Sequence, residues 1–442
     1  MKMLSKKTVA LIAAAILIPS VVKAEGYQVN SLSTRQLGMG HTGIAMKLGS
    51  ESQFFNPAGM AFMDNNIDLS ASFNAIMPTA TAPVGGKKYT TDCKASTPFS
   101  VFGSFDIIDC LKAGISVYTP YGSSINWTDN WPGATLNQSV KLQAFTIQPT
   151  LAWKILPGLS VGAGLTVTWG SVNLNKGLVS GQELNALLAA MGGSYPTPDI
   201  TPVSAHLQGN AGIACGVNLG AMYDISKNVT FGINYKSKTM MKVKAGKTDV
   251  VYGTTDPTIQ GILSSRLDGI AQTDFSAEMP LPATLGFGFS WHNPKVIVDV
   301  ETQLTFWSAY KSLDIKFDGA SQFDQHLEKN YHDSWLVRGG VEWHTTDRLD
   351  LRAGLMVDFS PVDKNYYNPE TPGMTKVEPT IGLTFRPIPC LGINLAGMYV
   401  AGLGVDNASY TSKNVMTGAE STFTADYGVR SWTASLGVSL SF

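Results

Sequence analysis

Four basic residues, Arg35, Lys236, Arg338 and Arg352, are placed where they could hold a carboxylate, and five acids could compete for them. Lys236, Arg338 and Arg352, with Lys238, share the phase of small polar residues in segments that alternate with period two. So do Asp299, Glu301, Glu342, Asp350 and Asp358. Side chains two apart on a strand lie on one face, so these charges meet across a single surface. A free cation there would meet a ligand carboxylate. A cation beside an acid would instead form a structural ion pair, which is the expectation for most of them.

Other constellations carry less. Gly158-Leu-Ser-Val-Gly162 matches the G-x-S-x-G pattern of hydrolases, but that chemistry needs the serine on a strained strand-to-helix corner. Here the match opens a continuous alternating strand, so Ser160 reads as a wall residue. His326 and His332, with Asp324 and Asp333, lie together without any familiar metal-ligand spacing. No Gly-Lys-Ser/Thr nucleotide loop appears, so the chain carries no recognisable energy source, and neither a catalytic set nor a cofactor is expected.

The elements that must position these residues are strands. In "WTASLGVSLSF", 432–442, Trp432, Ala434, Leu436, Val438, Leu440 and Phe442 share one face, opposite Thr433, Ser435, Gly437, Ser439 and Ser441. "LSVGAGLTVTW" (159–169), "VTFGINY" (229–235), "LPATLGFGFSW" (281–291) and "LDLRAGLMVDF" (349–359) repeat the pattern. Aromatics such as Trp153, Trp169, Tyr235, Trp291 and Trp343 cluster at strand ends. Only 15% of the chain is charged and the net charge is −1, against about 25% charged in an average soluble domain. A near-neutral balance gives no reason to expect a nucleic-acid partner. Apolar-out, polar-in strands with aromatic girdles read as all-β: a transmembrane antiparallel β-barrel of about fourteen strands, joined alternately by short turns and long exterior loops. A barrel that wide has a lumen its wall cannot fill.

The start of the chain supports the same address. Lys2, Lys6 and Lys7 precede a short apolar run, Thr8 to Ile18, and Val22-Lys23-Ala24 fits a cleavage site, so residues 1–24 read as a secretory signal peptide. Residues 25–65 lack sustained alternation, are glycine-rich and apolar, and should fold inside the barrel of residues 66–442 as a hatch. Within it "SQFFNPAGMAFM" (52–63) carries an Asn-Pro turn signal. Cys93, Cys110, Cys215 and Cys390 are scattered, and a disulfide framework is not expected; Cys215 falls on the lipid-facing phase.

Two exterior loops, about 173–208 and 246–273, contain amphipathic helices. Ser180 and Glu183 form a capping box ahead of Leu184, Leu187, Leu188 and Met191. Asp256 caps a helix that Pro257 starts and Ile259, Ile262, Leu263 and Leu267 stripe. The stripes could pack on each other, or line a greasy groove for an apolar ligand; the charge-poor lumen favours the groove.

Along nearly the whole mature chain the sequence resembles the FadL family of long-chain fatty acid transporters, which includes toluene and xylene uptake relatives. The resemblance rests on "GYQVNSLSTRQLGMGHTGIA", "FFNPAGM", "LPATLGFGFSWHNPKVIVDVETQLTFWS", "LRAGLMVDFSPV", "NPETPG" and the final Phe442. It implies a fourteen-stranded barrel in the bacterial outer membrane with the hatch triplet Asn56, Pro57 and Ala58. It also implies a ligand groove between exterior loops, release sideways into the membrane at a distorted third strand, and engagement of barrel-assembly machinery through Phe442. On the third strand, about Lys112 to Tyr121, Gly114 and Pro120 are the candidate distortion points. The expected cargo is a long-chain fatty acid. An uncharged or aromatic hydrocarbon is the alternative, and a surface adhesin anchored by the barrel is the reading from another class.

Overall fold

A computed structural model describes residues 26–442 except 191, 268, 416 and 417. The signal-peptide expectation and Met191 lie outside the described residues. A ring of 14 strands in one sheet forms the barrel. They are β1 Ile67–Val84, β2 Phe99–Ile108, β3 Leu111–Asn126, β4 Ser139–Leu156, β5 Leu159–Val179 and β6 Val203–Ser226. β7 runs Val229–Lys236 and continues as Thr239–Tyr252; β8 runs Asp274–Leu281 and continues as Thr284–His292. β9 Val296–Thr305, β10 Ser334–Thr346, β11 Leu349–Asp358, β12 Lys376–Ile388, β13 Leu391–Gly402 and β14 Glu420–Ser441 complete it. Closure is antiparallel between β14 and β1, with Leu440 opposite Leu69 and Trp432 opposite Met77. That closure leaves neither terminal strand an open edge, for which lipid would offer no hydrogen bonds.

The alternation is realised face by face. Trp432, Leu436 and Val438 are exposed on the outside, whereas Thr433 and Ser435 are buried inside. Trp169 on β5, Phe145 on β4 and Phe99 on β2 form an aromatic row, with ring centroids 6.1 and 6.3 Å apart. Such a row suits the boundary between hydrocarbon and headgroups.

The two helix-bearing loops are shorter than the sequence suggested. Pairing continues above the aromatic row, Leu174 with Leu207 and Val179 with Val203, because strands that leave the membrane still satisfy their backbones on each other. The long segments there begin after Val179 and Tyr252. Helix α3, Gly181–Ala189, and helix α4, Pro257–Leu267, follow. The capping box between Ser180 and Glu183 is present, and Asp256 accepts from the Thr258 and Ile259 amides at 2.8 and 3.2 Å.

Residues 26–66 precede β1 and are almost entirely buried. Helix α1, Thr34–Leu37, lies against β12, β13 and β14, while a 3-10 turn at Pro57–Phe62 lies against β4, β5 and β6 on the opposite wall. Helix α2, Ser52–Phe55, joins them. The segment therefore crosses the lumen. Glycines on the inner wall permit this approach. A Cβ at Gly220 would stand 1.9 Å from Asn56 Oδ1, and one at Gly354 would stand 2.1 Å from the Gly40 nitrogen. Gly40 and His41 bend the segment with φ of 68° and 55°.

Candidate functional site

Period-two phase put the charges inside, and folding decides which remain free. Arg35 donates to both carboxylate oxygens of Glu342, Nε to Oε2 at 3.1 Å and Nη2 to Oε1 at 2.9 Å. Arg352 Nε reaches the same carboxylate at 2.5 Å, and its other nitrogens meet Thr384 and Asp350. Arg386 and His344 also engage Asp350, at 2.6 and 2.7 Å. The ligand atoms of Glu342, His344 and Asp350 lie within 4.8 Å of one another, but three guanidiniums already occupy that cluster. Arg338 Nε donates to Glu301 at 2.9 Å, and the other Glu301 oxygen accepts from the Gly43 and Ile44 amides. Arg35, Arg338 and Arg352 are thus committed to acids, as the ion-pair reading had it. Lys236 differs. Its ammonium sits 3.4 Å from the centroid of the Phe54 ring, with no carboxylate within ion-pair distance among the described residues.

His41, on the lumenal segment, is held neutral: burial, with the Arg338 and Lys236 cations nearby, keeps its imidazole well below the ordinary range. A neutral ring suits its contact, since the Leu32 amide donates to Nε2 at 3.1 Å.

Asn56 is where sequence and lumen meet most closely. Its amide donates to the carbonyls of Ile44, Ala221 and Ile233 at 2.7, 3.1 and 3.2 Å, and its Oδ1 accepts from the Ala58 amide at 3.1 Å. Pro57 then starts the 3-10 turn, where its missing N–H costs nothing. The Ser160 hydroxyl donates to the Ala58 carbonyl at 2.9 Å, so the serine of the hydrolase-like pattern is a strut. Asn56→Ala should forfeit about 1–3 kcal/mol of local anchoring. We expect faster proteolysis of the N-terminal segment, while heat-modifiable gel mobility stays that of an intact barrel. Proteolysis at the wild-type rate would contradict this anchoring role.

Above Lys236 the lumen changes character. β7 breaks at Ser237–Lys238 and β8 at Pro282–Ala283, and both breaks flip the phase that faces inward. Gly232, Asn234 and Lys236 face in below; Met241 and Val243 face in above. The upper phase is apolar, and it encloses a cavity of about 680 Å³, part of it open to solvent. Leu142, Ala144, Leu174, Met241, Phe275, Ala277, Leu281 and Ile315 contribute, with polar lining only at Gln143, Ser171 and Glu278. Sequence reading missed these residues. The available signal was the phase slip in "NYKSKTMMKV" and "EMPLPATL".

The helix stripes do not line that cavity. Leu184, Leu188, Ile259, Leu263 and Leu267 are buried in one cluster with Leu174, Leu207, Val243, Phe275 and Ile315, and Ile262 packs on its edge. Leu187 is half-buried. The expected open groove is replaced by a closed roof, because short helices on an aqueous surface gain more by covering each other than by staying bare. The strand residues of that cluster, Leu174, Leu207, Val243, Phe275 and Ile315, also line the cavity beneath.

β3 supplies the remaining feature. It pairs with β2 from Ile108–Leu111 up to Ser100–Tyr118 and no further. Against β4 its register slips between Tyr118 and Tyr121, at Thr119 and Pro120. Pro120 has no N–H to give the ladder, and Thr119 bonds Phe99 through its hydroxyl. Above that point the N-terminal segment takes the place of β2: the Val29 amide donates to the Pro120 carbonyl and the Gly122 amide to the Tyr27 carbonyl, both at 2.9 Å. The irregularity sits at Pro120. Gly114 pairs regularly, and the close approach of Gln53, 2.7 Å from a built Cβ, accounts for its missing side chain. On β4, Ala144 and Leu142 face Tyr121 and Ser123 across the ladder while lining the cavity, so the apolar space abuts the distorted stretch.

All four cysteines are free, with Cys215 exposed on the outer face. In the loop about 306–333, the His326 ring bonds Asp314 at 2.5 Å, while Asp324 and Asp333 accept main-chain amides of Phe317 and Ser308.

A profile of an outer membrane protein transport family, described as OMPP1/FadL/TodX, matches residues 15–442. The chain is 24% identical over 435 residues to the long-chain fatty acid transport protein of Escherichia coli K12, covering 91% of this chain and 94% of that protein. A solved Pseudomonas aeruginosa FadL homologue superposes with a TM-score of 0.77 at 20% identity, covering 95% of this chain and 100% of that one. The toluene transporter TodX of Pseudomonas putida gives 0.69 at 17%, covering 96% and 99%. These structural likenesses speak to the fold.

Proposed function

The chain belongs to the outer membrane protein transport family OMPP1/FadL/TodX, and from that premise we propose that it takes up hydrophobic molecules passively, long-chain fatty acids foremost. It is an outer-membrane β-barrel. The observation that carries the reading is the apolar cavity set against the distorted stretch of β3. A cargo enters beneath the roof of α3 and α4, settles in the cavity, and leaves sideways into the bilayer where β2 and β3 separate. The physical case is simple. Each buried methylene gains about 0.8 kcal/mol over water, so a tail resists a wet pore and prefers an exit into lipid. The N-terminal segment, as a hatch, keeps the lumen from becoming an open hole.

For a fatty acid, Lys236 is the cation left to meet the carboxylate. It pairs across the sheet with Thr284, within about 10 Å along the strand of the cavity residue Leu281. A second reading has its own support. No cation lines the cavity among the described residues, which favours an uncharged hydrocarbon such as a small aromatic.

Titrating the purified protein in micelles with oleate and with toluene separates the readings. Lys236→Met should weaken oleate roughly tenfold and leave toluene unchanged. Toluene binding without oleate binding selects the hydrocarbon reading. Binding of neither defeats uptake and points to a surface adhesin.

A further inference from the structure

The N-terminal strand that fills the β2–β3 gap is gripped from the exterior side. Tyr27 is buried, its hydroxyl donating to the Pro280 carbonyl. Its ring meets Trp307 edge-on at 4.9 Å and Tyr310 at 6.0 Å, and stands 6.1 Å from Tyr121 on β3. Trp307 and Tyr310 belong to the exterior loop between β9 and β10, and Tyr331 of that loop packs on both. Gly26 lies so close that a Cβ would stand 2.7 Å from the indole. The cavity touches the same cluster, since Leu281, Met241, Met279 and Leu313 line the one and pack in the other.

We propose that the exterior loop 306–333 controls the lateral gap through Tyr27, as an aromatic clamp that holds the Gln28–Val29 strand on β3. Two independent features support a clamp that can let go. The Trp307 indole N–H is fully buried and has no hydrogen-bond partner among the described residues, so the closed arrangement carries a penalty that movement of the loop would relieve. The backbone contact it guards, among the described residues, is one bridge, Gln28 with Tyr121, with two flanking hydrogen bonds. A ligand pressing on Leu281 or Leu313 acts on the loop side of the clamp and is felt at β3. Tyr27 and Trp307 are positioning residues: they act on the passage without lining the cavity.

This rests on the lateral-exit reading, but its test needs no cargo. Amide exchange is followed in the full-length protein in micelles, at Val29 and Gly122, whose N–H groups make the guarded bonds, and at Asn56 and Gly59 as internal reference. In Trp307→Ala the two guarded amides should exchange roughly tenfold faster or more while the reference amides hold their wild-type rates. Tyr310→Ala, which removes the second ring held against Tyr27 and leaves Trp307 in place, should accelerate the same two amides by a smaller factor and serves if the Trp307 variant assembles poorly. Unchanged rates at Val29 and Gly122, or equal acceleration at Asn56 and Gly59, would overturn the clamp. Oleate or toluene binding, measured separately, reports on the transport reading alone.

Discussion

Ala277→Trp should abolish detectable binding of either cargo while leaving the barrel assembled. Ala277 lies on the inner phase of upper β8, paired with Val243 on one side and Ile315 on the other, and all three line the cavity. An indole placed there covers the wall where Val243 and Ile315 meet and takes up part of a space that is partly open to solvent. A tail loses about 0.8 kcal/mol for every methylene it can no longer bury, so five displaced methylenes cost about 4 kcal/mol, close to a thousandfold in affinity. Ala277 sits above the aromatic row, so heat-modifiable mobility should not change. Equilibrium titration with oleate and toluene decides the matter. An assembled variant that binds either cargo at wild-type strength would remove the cavity from the transport path.

Glu342→Gln should lower the stability of the folded barrel by about 3–5 kcal/mol, the range for losing one partner of a buried ion pair. Glu342 is fully buried and accepts from two guanidiniums, Arg35 and Arg352, the second itself almost wholly buried. Removing its charge leaves Arg352 with Asp350, which already serves Arg386, and leaves Arg35 only the more distant carboxylates of Glu51 and Asp350. The N-terminal segment should loosen first, because Arg35 is its ion-pair tie to that wall, beside the hydrogen bonds of Thr34 with Ser435 and of the Gly40 amide with Thr380. Adding Arg352→Met removes the excess cation and should recover part of the loss. Urea unfolding in micelles gives the midpoint for each variant. A single variant that unfolds at the wild-type midpoint, with α1 still protected from protease, would show that the network contributes nothing.

How much of this was legible differs from residue to residue. The strand phases were open to reading because period two is a local property, and neighbours such as Thr433 and Trp432 are sorted by the medium each faces. Asn56, Pro57 and Ala58 stood out because a turn signal interrupted an apolar run. The ends of the exterior loops were not legible: Asn173–Val179 continues as strand only because Val203–Gln208 comes back to pair with it. Nor was the cavity. It depends on breaks at Ser237–Lys238 and Pro282–Ala283 falling side by side, and registry between strands is set by the ring.

By itself, the sequence determined the solvent of each strand face, the crossing of a lipid layer, the sign of the lumenal charges and the two capped helices. Those follow from transfer free energies and backbone geometry within a few residues. Only the tertiary structure decided which charges are spent. Arg35 meets Glu342 from far along the chain, Arg338 and Arg352 meet carboxylates directly opposite them on the adjacent strand, and Lys236 meets none among the described residues. It also decided that the helices roof the cavity, and that residues 27–29 replace β2 beside Pro120. Those outcomes depend on which distant segments the closed ring brings within hydrogen-bond reach.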